Sequence, residues 1–158
     1  MVASAGEATA GKLSGRVPAP RRVAIAGLGP IGSTLVRALD DGIPGFALSA
    51  VATRNAAKAA ALIARLTNRP AVVPIGDLEG YADLVVECAP APLLPTIIEP
   101  FLAAGKSAVV MSVGGLLERE DLVDLARANA GQIIIPSGAP KTPASIELVP
   151  PGRDRFTA

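Results

Sequence analysis

Histidine and tryptophan are absent from this chain of 158 residues, and cysteine occurs once, at Cys88. A lone cysteine rules out an internal disulfide framework and suits a reducing compartment. Without histidine, a cysteine nucleophile would lack an imidazole base to generate its thiolate. Aromatics are scarce: Phe46, Tyr81, Phe101 and Phe156 are the whole set. That argues against the stacking platform used to bind single-stranded nucleic acid. The 15 basic and 14 acidic residues are interspersed and leave a net charge of +1, so no basic footprint for DNA or RNA stands out. No apolar run reaches membrane-spanning length, because Glu87, Glu99 and several prolines interrupt the richest stretch. Residues 1–20 are rich in Ala, Gly, Ser and Pro and carry no apolar h-region, so they do not read as a secretory signal. The expectation is a cytoplasmic chain with no nucleic-acid partner, no membrane partner and no metal site.

What remains is aliphatic. Half the residues are apolar, so the core must be built from Ala, Val, Leu and Ile. Such a core suits parallel strands covered by helices on both faces, and the length suits one domain. Residues 22–26 (RVAIA) read as a strand that breaks at Gly27, and Ile31, Leu35, Val36 and Leu39 follow at helical spacing. Residues 46–52 form a second expected strand, followed by a helix over about 55–66 with Asn55 as its N-cap. Further strands are expected at 71–75, 83–88, 107–113 and 132–136. Helical connections are expected at 90–104, with Pro92 and Pro95 in its first turns, and at 118–129, ending near Gly131. The alternation predicts an α/β fold, a Rossmann-type doubly wound parallel sheet. A disordered leader (1–20) and a short irregular tail (140–158) flank a domain at 21–139.

Gly27-Leu28-Gly29-Pro30-Ile31-Gly32 is a G-x-G-x-x-G motif between a predicted strand and a predicted helix, the context that ties it to a dinucleotide. Gly27 permits the tight turn, Gly29 removes a Cβ that would block the pyrophosphate, and Gly32 lets helix and strand pack closely. Pro30 has no N–H to give but fits an early helical position. The competing reading is a glycine-rich turn that packs without a ligand. About 20 residues on, where an acidic residue usually accepts from the adenosine ribose, the chain has Thr53 and Arg54 instead. Arg54 either pairs with a 2′-phosphate, which would admit NADP beside NAD, or is a solvated residue at a helix start.

The chain resembles the L-aspartate dehydrogenases from about Arg22 to Ala139. The resemblance rests on the glycine loop, Val85-Val86-Glu87-Cys88-Ala89, Val109-Val110-Met111-Ser112-Val113-Gly114 and Ile135-Pro136-Ser137-Gly138-Ala139. A relative of the sugar-dehydrogenase kind would carry Glu-Lys-Pro after the fifth strand, where this chain has Met111-Ser112-Val113-Gly114. The resemblance implies oxidation of aspartate to iminoaspartate with NAD or NADP. It puts Ala139 and its neighbours on the nicotinamide side and Cys88-Ala89 near its ribose. Cofactor contacts are thus expected from Gly27, Gly29, Pro30, Ile31, Gly32, Thr53, Arg54, Cys88, Ala89, Ser112, Val113, Gly138 and Ala139. Cys88-Ala89, Ser112-Val113 and Gly138-Ala139 all fall at carboxyl ends of expected strands, where open α/β sheets bind ligands.

Cys88 reads as a small residue closing a strand rather than a nucleophile, and Ser112 and Ser137 as hydrogen-bonding loop residues. Glu87 is expected to be satisfied by loop N–H groups, and Lys106 to lie on the edge away from the site. The family places its catalytic histidine and most substrate contacts in a later domain, whereas this sequence runs through Pro140-Lys141-Thr142-Pro143 to Ala158. The expectation is the cofactor half of such an enzyme, which binds dinucleotide and, alone, turns over aspartate slowly or not at all. An uncovered crevice would favour pairing, with a homo-oligomer one outcome. Two other functions remain open: a non-enzymatic dinucleotide-binding or regulatory module, and the cofactor half of another NAD(P)-dependent dehydrogenase.

Overall fold

The computed structural model describes residues 18–136. The expected tail, Gly138, Ala139, and all but the last three residues of the expected leader lie outside the described residues.

Six strands form one parallel sheet: β1 (Arg21–Ala26), β2 (Phe46–Ala52), β3 (Ala71–Val72), β4 (Leu84–Glu87), β5 (Ser107–Val110) and β6 (Gln132–Ile134). Their spatial order is β3-β2-β1-β4-β5-β6, that of two mononucleotide-binding halves joined at β1 and β4. The helices are α1 (Pro30–Gly42), α2 (Ala56–Ile63), α3 (Leu94–Ala103), α4 (Val113–Leu117) and α5 (Glu120–Ala128).

Alternation along each strand divides the core between the two faces. Val23 and Ile25 of β1 pack with Val51, Val86, Val109 and the α1 and α2 residues Val36, Leu39, Ala59 and Leu62. Ala24 and Ala26 turn the other way, with Ala50, Ala52 and Ala108, against Leu94, Ile97, Ile98 and Phe101 of α3 and Leu122 of α5. Small side chains on that face leave room for Phe101, which is fully buried and worth roughly 1.5–3 kcal/mol as burial of a large apolar group. At Val23/Ala24 the register with β2 shifts by one residue, and the Ser49 hydroxyl donates to the Val23 carbonyl at 3.0 Å.

Several elements are shorter than their sequence pattern suggests. The third strand stops at Val72, and a 3-10 helix takes over at Ile75–Tyr81 just beyond Pro74, which has no N–H for a ladder. The sixth stops at Ile134, two residues before Pro136. The fifth ends at Val110 instead of running to 113, because the N–H groups of Met111 and Ser112 donate to a side chain, Glu87, rather than to a neighbouring strand. Residues 113–117 then form α4, a helix the sequence pattern does not predict, which begins on the last residue of the expected fifth strand. The second helix ends at Ile63 and tightens, with Arg65 and Leu66 donating to carbonyls three residues back. Asn55 caps it, accepting from the Lys58 N–H at 2.9 Å. Pro92 and Pro95 fall in first turns, as the pattern requires, whereas Pro100 lies inside α3. At the end of α5, Ala130 adopts φ +56° and Gly131 donates to the Ala126 carbonyl, so the left-handed residue precedes the glycine.

Candidate functional site

Carboxyl ends of β1, β2, β4 and β5 meet along one edge of the sheet. Cys88 N–H donates to the Ala26 carbonyl and Gly27 N–H to the Ala52 carbonyl, both at 2.8 Å, so the chain leaves β1 between its two neighbours. Gly27 has φ +104°, and a Cβ there would stand 2.5 Å from the Cys88 carbonyl oxygen. A Cβ on Gly32 would stand 1.9 Å from the Gly27 carbonyl oxygen and 3.3 Å from Ile25 Cγ2. Neither position tolerates a side chain. Leu28, 3% exposed, anchors the loop in the core, and the Ser33 hydroxyl donates to its carbonyl at 3.0 Å. Sequence reasoning missed both anchors; an apolar residue between the first two glycines was the one available signal.

The opening faces Gly29. A Cβ there would meet nothing within 4 Å, and Gly29 is the N-cap of α1 with no side chain bonded to the helix end. The first turn of α1 holds no acidic residue. Uncapped N–H groups and the positive end of a helix of 13 residues thus face open space, a ready-made seat for an anion. Pro30 is the first helical residue, and Ile31 beside it is exposed. These features fit a diphosphate.

Thr53 and Arg54 follow β2 on the adjoining side. The Thr53 hydroxyl accepts from the Asn55 N–H at 3.2 Å, while Arg54 is exposed and joins no ion pair among the described residues.

On the other side, Glu87 organises the ends of β4 and β5. It is fully buried. Its Oε1 accepts from Ala89 N–H (3.1 Å) and the Ser112 hydroxyl (3.0 Å), and its Oε2 from the N–H groups of Met111 (3.1 Å) and Ser112 (2.9 Å). Ala89 and Ser112 are thereby held side by side, and Val113 opens α4 next to them. Burial first, and then the charge of Glu87, push the Cys88 thiol up to about 12, which keeps it protonated and unreactive. Lys106 stands just before β5, at the opposite edge of the sheet, donating to the Glu79 and Ala82 carbonyls and pairing with the Glu79 carboxylate.

An open trough of about 550 Å³ between α3 and α5, lined by Glu99, Pro100, Ala103, Asp121, Leu122 and Leu125, involves none of these residues. Among the described residues no cluster of three His, Cys, Asp or Glu side chains could hold a metal, and no helix is long and apolar enough to cross a membrane.

The sequence model described as "Homoserine dehydrogenase, NAD binding domain" matches residues 27–136, from the glycine loop to the end of the sheet. The chain belongs to that family. As an NAD-binding domain of this family it takes NAD or NADP as its cofactor, and the open, uncapped start of α1 at Gly29 suits the diphosphate of such a molecule. An L-aspartate dehydrogenase of Bradyrhizobium diazoefficiens is 58% identical over 118 residues, covering 75% of this chain and 42% of that protein. L-aspartate dehydrogenase 3 of Bordetella bronchiseptica is 48% identical over 118 residues, covering 74% and 43%. The chain therefore spans about two fifths of the length of these relatives. Among solved structures, a homoserine dehydrogenase from Thiobacillus denitrificans superposes with a TM-score of 0.61 at 21% identity, covering 72% of this chain and 28% of that one, a likeness of fold.

Proposed function

We propose that this NAD-binding domain is the cofactor half of an oxidoreductase of the L-aspartate dehydrogenase type. The observation that carries the reading is the uncapped start of α1, open at Gly29, beside the paired ends of β4 and β5, in a chain 58% identical to an L-aspartate dehydrogenase. Residues 21–139 act as one unit. Gly27, Gly29, Pro30, Ile31 and Gly32 receive the pyrophosphate, and Thr53 and Arg54 receive the adenosine ribose with any 2′-phosphate. Cys88, Ala89, Ser112 and Val113, with Gly138 and Ala139, border the nicotinamide. That ring, when bound, exchanges a hydride with the substrate. The chain's own task is to hold it in place: Ser112 and Ala89 are clamped by Glu87, and a protonated Cys88 adds a small apolar wall.

Hydride transfer gains roughly 7–11 kcal/mol from holding donor and acceptor in near-attack geometry. The chain has no histidine to serve as an imidazole base. Ile31, Met111 and Ile135 are large apolar side chains left exposed just past the ends of β1, β5 and β6, suited to contact with a substrate-binding partner or a second copy. In this reading the 158 residues by themselves bind dinucleotide, turn over aspartate slowly or not at all, and work in the cytoplasm, for which the single cysteine is suited.

The test measures NAD, NADH, NADP and NADPH binding to the pure chain, then aspartate-dependent NAD(P)H production with and without the remaining half of the Bradyrhizobium relative. Saturable binding, with turnover only when that half is added, is the expected outcome. Enzyme-like rates from the chain alone would refute the division of labour, and absence of binding on folded protein would refute the whole reading. Because the matching family is described by homoserine dehydrogenase, homoserine belongs in the same assay, and its preferential oxidation would replace aspartate in the proposal.

A further inference from the structure

Glu87 is a buried carboxylate without a cation. None of the ion pairs among the described residues includes it. Three of its four partners are backbone N–H groups, which can only donate, and the fourth is the Ser112 hydroxyl, which also lies 3.3 Å from the Ala89 carbonyl. The segments bordering its end of the crevice are otherwise uncharged: 88–98 reads CAPAPLLPTII, 111–117 reads MSVGGLL and 133–136 reads IIIP. Arg54, the exposed cation beside the phosphate loop, lies on the β2 side, across β1 from β4. Glu87 is thus the one formal charge at the β4–β5–β6 strand ends among the described residues. The N–H dipoles that hold it are partial charges and offset a full negative charge only in part.

Oxidised and reduced nicotinamide cofactors carry identical phosphates and differ in one formal charge, which resides on the ring. The difference between their affinities therefore reports the potential where the ring sits. Resting on the reading that β4 and β5 border the nicotinamide, we propose that the Glu87 carboxylate biases this crevice toward the oxidised, cationic form of the cofactor. A buried charge acts through low-dielectric protein and is weakly screened by salt, so its influence extends beyond contact distance. The role is electrostatic and separate from the clamp on Ala89, Met111 and Ser112.

The experiment titrates the full chain with NADPH by fluorescence and displaces it with NADP, repeating with NADH and NAD. Parent protein should bind the oxidised form about threefold to tenfold more tightly than the reduced form. Glu87→Gln should remove most of that preference, whatever it does to both affinities together. Ser112→Ala weakens the clamp but keeps the charge, so both forms should weaken alike and the ratio should persist. Equal affinities in the parent, tighter binding of the reduced form, or a preference that survives Glu87→Gln would each overturn the proposal. Should Glu87→Gln fail to fold, the ratios in the parent and in Ser112→Ala decide. Folded parent that binds neither form would instead remove the cofactor reading itself, a distinct result.

Discussion

Gly32 shows how narrowly a single residue can be specified. Its missing Cβ leaves the only space through which α1 can approach the Gly27 carbonyl, so Gly32→Ala must push the helix off the first strand. Overpacking against backbone costs about 1–3 kcal/mol, and urea denaturation of the variant should show a loss of that order together with weakened dinucleotide binding. Arg54 presents the opposite case, a solvent-exposed side chain whose value depends on the ligand. Arg54→Ala should weaken NADP about tenfold or more, the loss of one charge-assisted hydrogen bond, and leave NAD within twofold by the same titration. Equal losses for both would make it an ordinary solvated residue. The glycine turn between β1 and α1 was legible in the sequence because such a loop has a fixed spacing. Leu28 and Ser33 were not, since any apolar residue and any hydroxyl would look the same until the loop is seen to hang from them.

At the scale of elements, Arg22 and Asp83 join the starts of β1 and β4. Asp83 accepts from the Arg22 backbone N–H and from Nε and Nη2, the last at 2.7 Å. The Arg22 side-chain hydrogen bond, above all, lowers its carboxyl from the usual 3.8 to about 2. A carboxyl lowered on folding stabilises the fold above its ordinary value and gives that up as pH falls through the folded one. The contribution is therefore complete above about pH 4 and lost toward pH 2. Asp83→Asn should lower stability at pH 6 and flatten the acid limb between pH 4 and 2, read by urea midpoints across that range. The pair is exposed, so the effect should be modest. Element identity along the chain was readable from aliphatic runs and turn residues. Element length was not: β5 ends where it does because Glu87, 24 residues earlier, takes the Met111 N–H. No local pattern announces a competitor that distant, and α4 forms in the stretch it releases.

Across the whole molecule, cofactor binding and folding are coupled. The crevice is assembled from the ends of strands that lie on both sides of β1, so it exists only when the sheet does. A ligand that binds only the folded form adds about 2.7 kcal/mol at a concentration one hundred times its Kd. For a chain of this size that should raise the melting temperature by roughly 5–10 °C, and scanning calorimetry with the preferred dinucleotide checks it. A shift near zero at saturation would mean that the bound dinucleotide does not depend on the assembled strand ends.

Strand and helix alternation, an aliphatic core and the phosphate loop follow from the sequence alone, because each is written in local spacing and in residues that only one backbone conformation can use. The sheet order β3-β2-β1-β4-β5-β6, the clamp at Glu87 and the absence of a cation paired with it among the described residues were decided by the tertiary structure. They depend on which chain ends the packed core brings together, and hydrogen-bond donors 2 and 25 residues away compete for one carboxylate only after that packing is complete.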